Sequence, residues 1–196
     1  QWPSGLWKPV SLTAEHSAEM DWIQHSMLLT KLDLDSTQQG KPLLKGSLSK
    51  PMLISWAENP PANERSDAAD FSVRLYPVDM LPFVPLLGLP DDWKLASGIL
   101  DATAKVVATD QGRNLTLDGH VGISGVALTA SVLKLENTAL IFDGKVAVKN
   151  LKSAQFPPSA LKIFEKNKPL FKTTLEGNWD LPSKTGSGLL KFEAPL

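Results

Sequence analysis

Apolar and polar residues alternate along most of this chain, and a period of two is the signature of a half-buried β-strand. The clearest run is 100–108, where Leu100, Ala102, Ala104, Val106 and Ala108 alternate with Asp101, Thr103, Lys105 and Val107. In a second run, 115–123, Leu115, Leu117, Gly119, Val121 and Ile123 take one side and Thr116, Asp118 and His120 the other. Between them Asp110-Gln111-Gly112-Arg113-Asn114 is a polar, glycine-containing turn of hairpin length. The same reading predicts strands near 28–35, 43–56, 71–76, 126–135, 138–148, 172–181 and 188–192. Many connections are too short for a helical crossover, so neighbouring strands are expected to pair antiparallel. Asp143-Gly144 also reads as a two-residue turn that would split its run into a hairpin.

Three segments interrupt the alternation. Residues 80–89 read MLPFVPLLGL, and Pro82 and Pro85 suit a short helix or apolar turn better than a strand, because proline donates nothing to a ladder. In 156–168, Pro157-Pro158-Ser159 precedes an apolar stripe of Leu161 and Phe164, which predicts a short amphipathic helix. Residues 57–69, with Asn59-Pro60-Pro61, read as a mobile loop at one end of a continuous sheet, or as a sub-domain linker. The expected fold is mainly β: a single β-rich domain over 1–196, its antiparallel sheet built from hairpins and meanders, with one or two short helices.

Composition narrows the function classes. The 196 residues carry a formal net charge of −1, with 42% hydrophobic and 21% charged residues, an ordinary globular composition. Lysines are spread singly, without the basic patch that a nucleic-acid partner requires. There is no cysteine, which excludes disulfides, thiolate catalysis and cysteine-ligated zinc. No apolar run reaches the roughly 18 residues of a membrane-spanning helix. The chain opens on Gln1-Trp2-Pro3 and stops at Ala194-Pro195-Leu196, and both ends read as boundaries within a longer protein that holds any anchor.

Candidate chemistry is sparse. His16 and His25 stand near Glu15, Glu19 and Asp21 without metal-ligand spacing, and His120 sits beside Asp118 on a polar strand face. Gly122-Ile123-Ser124-Gly125 lacks the context of a nucleophile elbow and reads as a bend or bulge. Asp33 and Asp35 share a strand face, but acid–base work needs one of them buried, and alternating acids are the ordinary solvent side of a strand. No catalytic residue, metal or cofactor is therefore expected. Asn114-Leu115-Thr116 matches a glycosylation sequon by the predicted hairpin turn, where it would be accessible; in a bacterial source the match would be chance. Six tryptophans, at 2, 7, 22, 56, 93 and 179, read as core or rim residues, with sugar stacking or a membrane interface as the alternatives.

One stretch carries a family likeness. Leu81-Pro82-Phe83-Val84-Pro85-Leu86-Leu87-Gly88-Leu89-Pro90 leads into Leu95-Ala96-Ser97-Gly98-Ile99-Leu100-Asp101, then Leu115-Thr116-Leu117-Asp118-Gly119, then Gly125-Val126-Ala127-Leu128. That order, over about residues 78–150, resembles the AsmA-like superfamily and the related DUF748 group of bacterial envelope proteins. The resemblance implies an elongated, curved sheet with an apolar concave face, and a role in periplasmic lipid transport or outer-membrane maintenance. It implies phospholipid or fatty acid and other envelope proteins as partners, in the periplasm or cell envelope, with the parent protein anchored outside this chain.

On this reading Leu100, Ala102, Val106, Leu115, Leu117, Val121, Val126 and Leu128 point inward, lining either a lipid groove or a packed core. Periodicity by itself favours a packed core, and the family resemblance raises the lipid groove to a comparable footing. Residues 156–168 or 80–89 would cap one end. The alternative functions are a structural or protein-binding β domain, using a sheet edge or the 57–69 loop, and a carbohydrate-binding module built on tryptophans.

Overall fold

The computed structural model describes residues 10–57, 68–86, 88–131, 133–166 and 168–194. The strands are β1 (Val10–Asp21), β2 (Ser26–Gln38), β3 (Lys41–Leu48), β4 (Met52–Ser55), β5 (Ala69–Asp79), β6 (Lys94–Thr109), β7 (Asn114–Ala130), β8 (Leu133–Lys149), β9 (Ser153–Glu165), β10 (Lys168–Asp180) and β11 (Thr185–Glu193). All eleven belong to one open sheet, in the order β1-β2-β3-β5-β6-β7-β8-β9-β10-β11, with β4 paired to β2. Every pair is antiparallel, as the short connections require. The described residues contain no helix long and apolar enough to cross a membrane.

The central hairpin forms as its sequence predicts: Ala102 faces Val121, Val106 faces Leu117 and Ala108 faces Leu115. Elsewhere the strands are longer than expected, because bulges absorb the residues that break the alternation. Gly125, at φ 60, sits in a bulge inside β7, so 114–130 is one strand and not two. Pro77 lies in a bulge between Leu75 and Val78, where a missing N–H costs no ladder bond. In β2, Lys31 and Leu29 face the consecutive residues Ser17 and Ala18, which leaves Thr30 as the extra residue; its hydroxyl donates to the Ser17 carbonyl at 3.2 Å. That bulge turns Leu29 and Met27 onto the apolar face. The expected single strand over 43–56 is two, β3 and β4, which pair with successive halves of β2.

Three expectations need correction. Residues 156–168 are not a helix: β9 runs through Pro157 and Pro158 to Glu165. The prolines sit where the β8–β9 register shifts between Asp143 and Ala147, and the Lys145 N–H is taken by the Ser159 hydroxyl at 3.2 Å. Leu161 and Ile163 then share a face with period two, which fits this short run as well as the helical stripe does. Asp143-Gly144 is not a turn either, since β8 is continuous and Gly144 faces Gly119. Residues 10–21, for which no strand was expected, form the edge strand β1. The loop expected over 57–69 lies mostly outside the described residues.

The fully buried core is small. Met52, Ala69 and Ala108 form its cluster, with Leu29, Leu48, Ile54 and Leu115 packed against it. It closes the end of the sheet where β4 meets the β6–β7 turn: Ser55 N donates to the Gln111 carbonyl at 2.8 Å, and Gly112, at φ 79, lies flat against Ile54. At the other end Val78, Met80, Val126 and Ala130 are buried. There the apolar 80–89 segment folds into a 3-10 helix, Leu81–Leu86, against β6, and Met80 N donates to the Gly98 carbonyl at 2.9 Å.

Candidate functional site

Side chains of directly paired residues point to the same side of a sheet, so register decides which positions share a face. One row crosses ten strands without interruption: Leu12, Ser36, Leu44, Leu75, Ala102, Val121, Phe142, Leu161, Thr173 and Phe192. The parallel row Leu48, Phe71, Val106, Leu117 and Val146 lies on the same face. Between the two runs a row of mostly small residues: Gly46, Val73, Ala104, Gly119 and Gly144. Aromatic rings lean over these bare positions, since a β-carbon at Gly144 would stand 2.7 Å from the Phe142 ring and one at Gly46 3.1 Å from Phe71.

All eight residues expected to point inward lie on this face. Leu100, Ala102, Val106, Leu115, Leu117 and Val121 are joined through the β5–β6–β7–β8 ladders, and beyond the Ser124-Gly125 bulge Val126 and Leu128 return to the same side. Val126 is buried, Leu117 is 39% exposed, and the remaining six are half-buried. Because all eleven strands belong to one sheet, no second sheet covers this face among the described residues. Exposure rises toward the flanks, through Phe142 and Leu175 to Phe192 at 64%. The β1 and β9 contributions, Leu12, Leu161 and Ile163, were missed in the sequence; in β1 the alternation from Val10 through Leu12, Ala14, His16 and Ala18 to Met20 was there to be found.

The opposite face is a ladder of charges. Lys105 reaches Asp70 at 2.7 Å, Lys145 reaches Asp118 at 3.2 Å, and Lys162 reaches Asp143 at 3.4 Å. A concavity of about 650 Å³ runs along it, with Lys45, Arg74, Thr103, His120 and Asp143 among its lining. Thr103, His120 and Asp143 are cross-strand neighbours in one row, and His120 Nδ1 lies 2.7 Å from Asp143 Oδ1. No hydrogen bond joins Thr103 to His120, and both ring and carboxylate stand in solvent, so the row does not assemble a nucleophile and its base. Among the described residues no three His, Asp or Glu side chains converge as metal ligands would.

The hydrogen bond from His120 holds the Asp143 carboxyl below its ordinary pKa against a smaller burial penalty, and Lys162 adds to the effect. A depressed folded-state pKa contributes stability that is complete above the unfolded carboxylate value, about 3.9, and is lost as pH falls through the lower folded value. Both partners are about half exposed, so screening keeps the contribution below about 1 kcal/mol. Asp143→Asn is therefore expected to narrow the difference between urea midpoints measured near pH 7 and near pH 2.5. An unchanged difference would mean that the pair does not persist in solution.

Among the described residues Trp22 and Trp56 meet edge-on, 6.5 Å apart at 70°, and do not form a flat platform for sugars. Trp2 and Trp7 lie outside the described residues. The Asn114 amide of the sequon is engaged, accepting from Asn150 N at 2.9 Å and donating to Asp110 at 3.4 Å. No family model, curated protein or solved structure matches this chain.

Proposed function

We propose that this chain is a non-enzymatic module of the bacterial cell envelope whose apolar sheet face holds the acyl chains of phospholipid or fatty acid. The observation that carries the reading is an apolar face that spans ten strands, that no second sheet covers among the described residues, and that leaves large side chains exposed. Contiguous apolar surface of this kind ordinarily marks an interaction site. An acyl chain laid on this face gains roughly 0.8 kcal/mol for each methylene removed from water, so about ten methylenes are worth about 8 kcal/mol before ordering costs. The envelope setting rests on the AsmA-like resemblance of residues 78–150.

The test is native mass spectrometry of protein purified without detergent, followed by solvent extraction and lipid analysis. Stoichiometric phospholipid or fatty acid is expected to co-purify. Leu117→Asp, which sets a charge in the middle of the face, is expected to abolish it. Protein that carries no lipid and takes up none when it is added would refute the reading.

A second reading has its own support. Among the described residues the outer edges of β1 and β11 are unpaired, and each carries a strongly exposed member of the apolar row, Leu12 on β1 and Phe192 on β11. A strand from a partner protein added at either edge would extend that row.

A further inference from the structure

The end of the sheet nearest β4 presents an unusual set of turns. Turn tips are normally occupied by small polar residues. Here the β1–β2 turn carries Trp22 and Ile23, 71% and 88% exposed. Trp56 follows β4, Leu151 sits in the β8–β9 turn and Leu181 opens the β10–β11 turn, all three exposed. Backbone hydrogen bonds link these segments into a single rim. Trp56 N donates to the His25 carbonyl at 2.9 Å, Ser55 N to Gln111 at 2.8 Å, Leu151 N to Arg113 at 3.0 Å, and Leu181 N to Lys152 at 2.8 Å.

Charge along the rim points the same way. Arg113, Lys149, Lys152 and Lys184 form no ion pair among the described residues. Three acids of the same turns, Asp21, Asp110 and Asp180, are engaged locally, Asp110 by the Asn114 amide at 3.4 Å. Asp21 accepts the Ile23 and Gln24 amides at 2.9 Å, and Asp180 accepts the Ser183 amide at 2.8 Å and its hydroxyl at 2.5 Å. The rim thus offers apolar tips interleaved with unpaired cations.

We propose that this rim docks on an anionic lipid surface. Trp22, Ile23, Trp56, Leu151 and Leu181 enter the interfacial layer, where an indole keeps its ring in an apolar region and its N–H near water. Arg113, Lys149, Lys152 and Lys184 meet the headgroup phosphates, and cations close to an anionic leaflet are attracted within a Debye length. Docking goes beyond the holding of acyl chains, because it uses turn tips at one end of the strands and not the apolar face between them.

Flotation with vesicles tests it, comparing phosphatidylcholine alone with phosphatidylcholine containing about one-third phosphatidylglycerol. The protein is expected to float with the anionic vesicles, and less so at about 1 M salt, where the Debye length is about 3 Å. Ile23→Ser/Leu151→Ser/Leu181→Ser and Lys149→Glu/Lys152→Glu are each expected to lower partitioning by at least about tenfold. Urea midpoints verify that these variants fold. Brominated acyl chains in the anionic vesicles are expected to quench tryptophan fluorescence of the unaltered protein, a readout that needs no variant. Absence of flotation with anionic vesicles, rim variants that float like the parent, or no quenching would each overturn the proposal. So would a rim that captures a protein partner while ignoring vesicles. Co-purified lipid in the rim variants is expected to stay at the parent level, so docking and acyl-chain holding can fail independently.

Discussion

Ala108→Asp is expected to lower the stability of the whole sheet by about 4 kcal/mol, read as a shift in urea midpoint at neutral pH. Ala108 is 3% exposed and faces Ala69, itself buried, across the β5–β6 ladder. Met52, Leu29 and Ile54 pack against the pair, so an added carboxylate enters an apolar cluster. Burial without a partner raises the pKa of such an acid. Its penalty is therefore largest where the unfolded chain keeps the group ionised, and shrinks as pH falls below about 4. The loss should accordingly diminish in acid, which a purely steric defect would not do. Thr109→Asp, one residue along at an exposed position, is expected to change the midpoint by less than about 0.5 kcal/mol. Equal tolerance at the two positions would mean that this end of the sheet is not closed in solution.

Gly177→Val is expected to release β11 while leaving the centre of the sheet intact. Gly177 faces Gly188, and a β-carbon there would stand 2.5 Å from the Ser187 carbonyl oxygen and 3.0 Å from the Gly188 α-carbon. Backbone atoms cannot swing aside as the tip of a side chain can, so the strands must separate. The cost is about 1–3 kcal/mol, the range of an overpacked contact. Because every residue of β11 is exposed, its departure uncovers little core. Amide exchange is therefore expected to accelerate across 185–193 while β6 and β7 keep their protection. Gly144→Val is a useful contrast: its close neighbour is the ring of Phe142, which is exposed and free to move. Equal protection of β11 in the Gly177 variant and the parent would contradict the close approach.

The hairpin of β6 and β7 was legible because two signals coincide there. Alternation names the side chains of one face, and a polar turn with Gly112 between the runs sets their pairing. In β9 the signals conflict. Pro157-Pro158-Ser159 followed by Leu161 and Phe164 suits the first turn of a helix, yet Leu161 and Ile163 suit a strand equally well. Local sequence cannot choose between them; β8 on one side and β10 on the other supply hydrogen-bond partners that only an extended chain can use. Asp143-Gly144 failed as a turn for a related reason. Asp143 finds His120 and Lys162 across the strands, and Phe142 covers the bare Gly144, so continuing the strand satisfies both residues.

The candidate face divides along the same line. Its eight expected members were readable because a period of two sends alternate side chains to one side, whatever the neighbouring strands are. The alternation thus determined by itself that this chain would form antiparallel strands with one apolar and one charged face. Only the tertiary structure decided how far that face extends and what covers it. The Thr30 and Gly125 bulges keep Leu29, Met27 and Val126 in phase with the rest, and β1 and β9 join as strands to widen it. The rim of Trp22, Trp56, Leu151 and Leu181 arises in the same way, from turns far apart in sequence that the meander brings to one end. Periodicity is a property of neighbours along the chain, whereas a covering layer or a shared rim depends on contacts between distant segments, which are set by the register and order of the whole sheet.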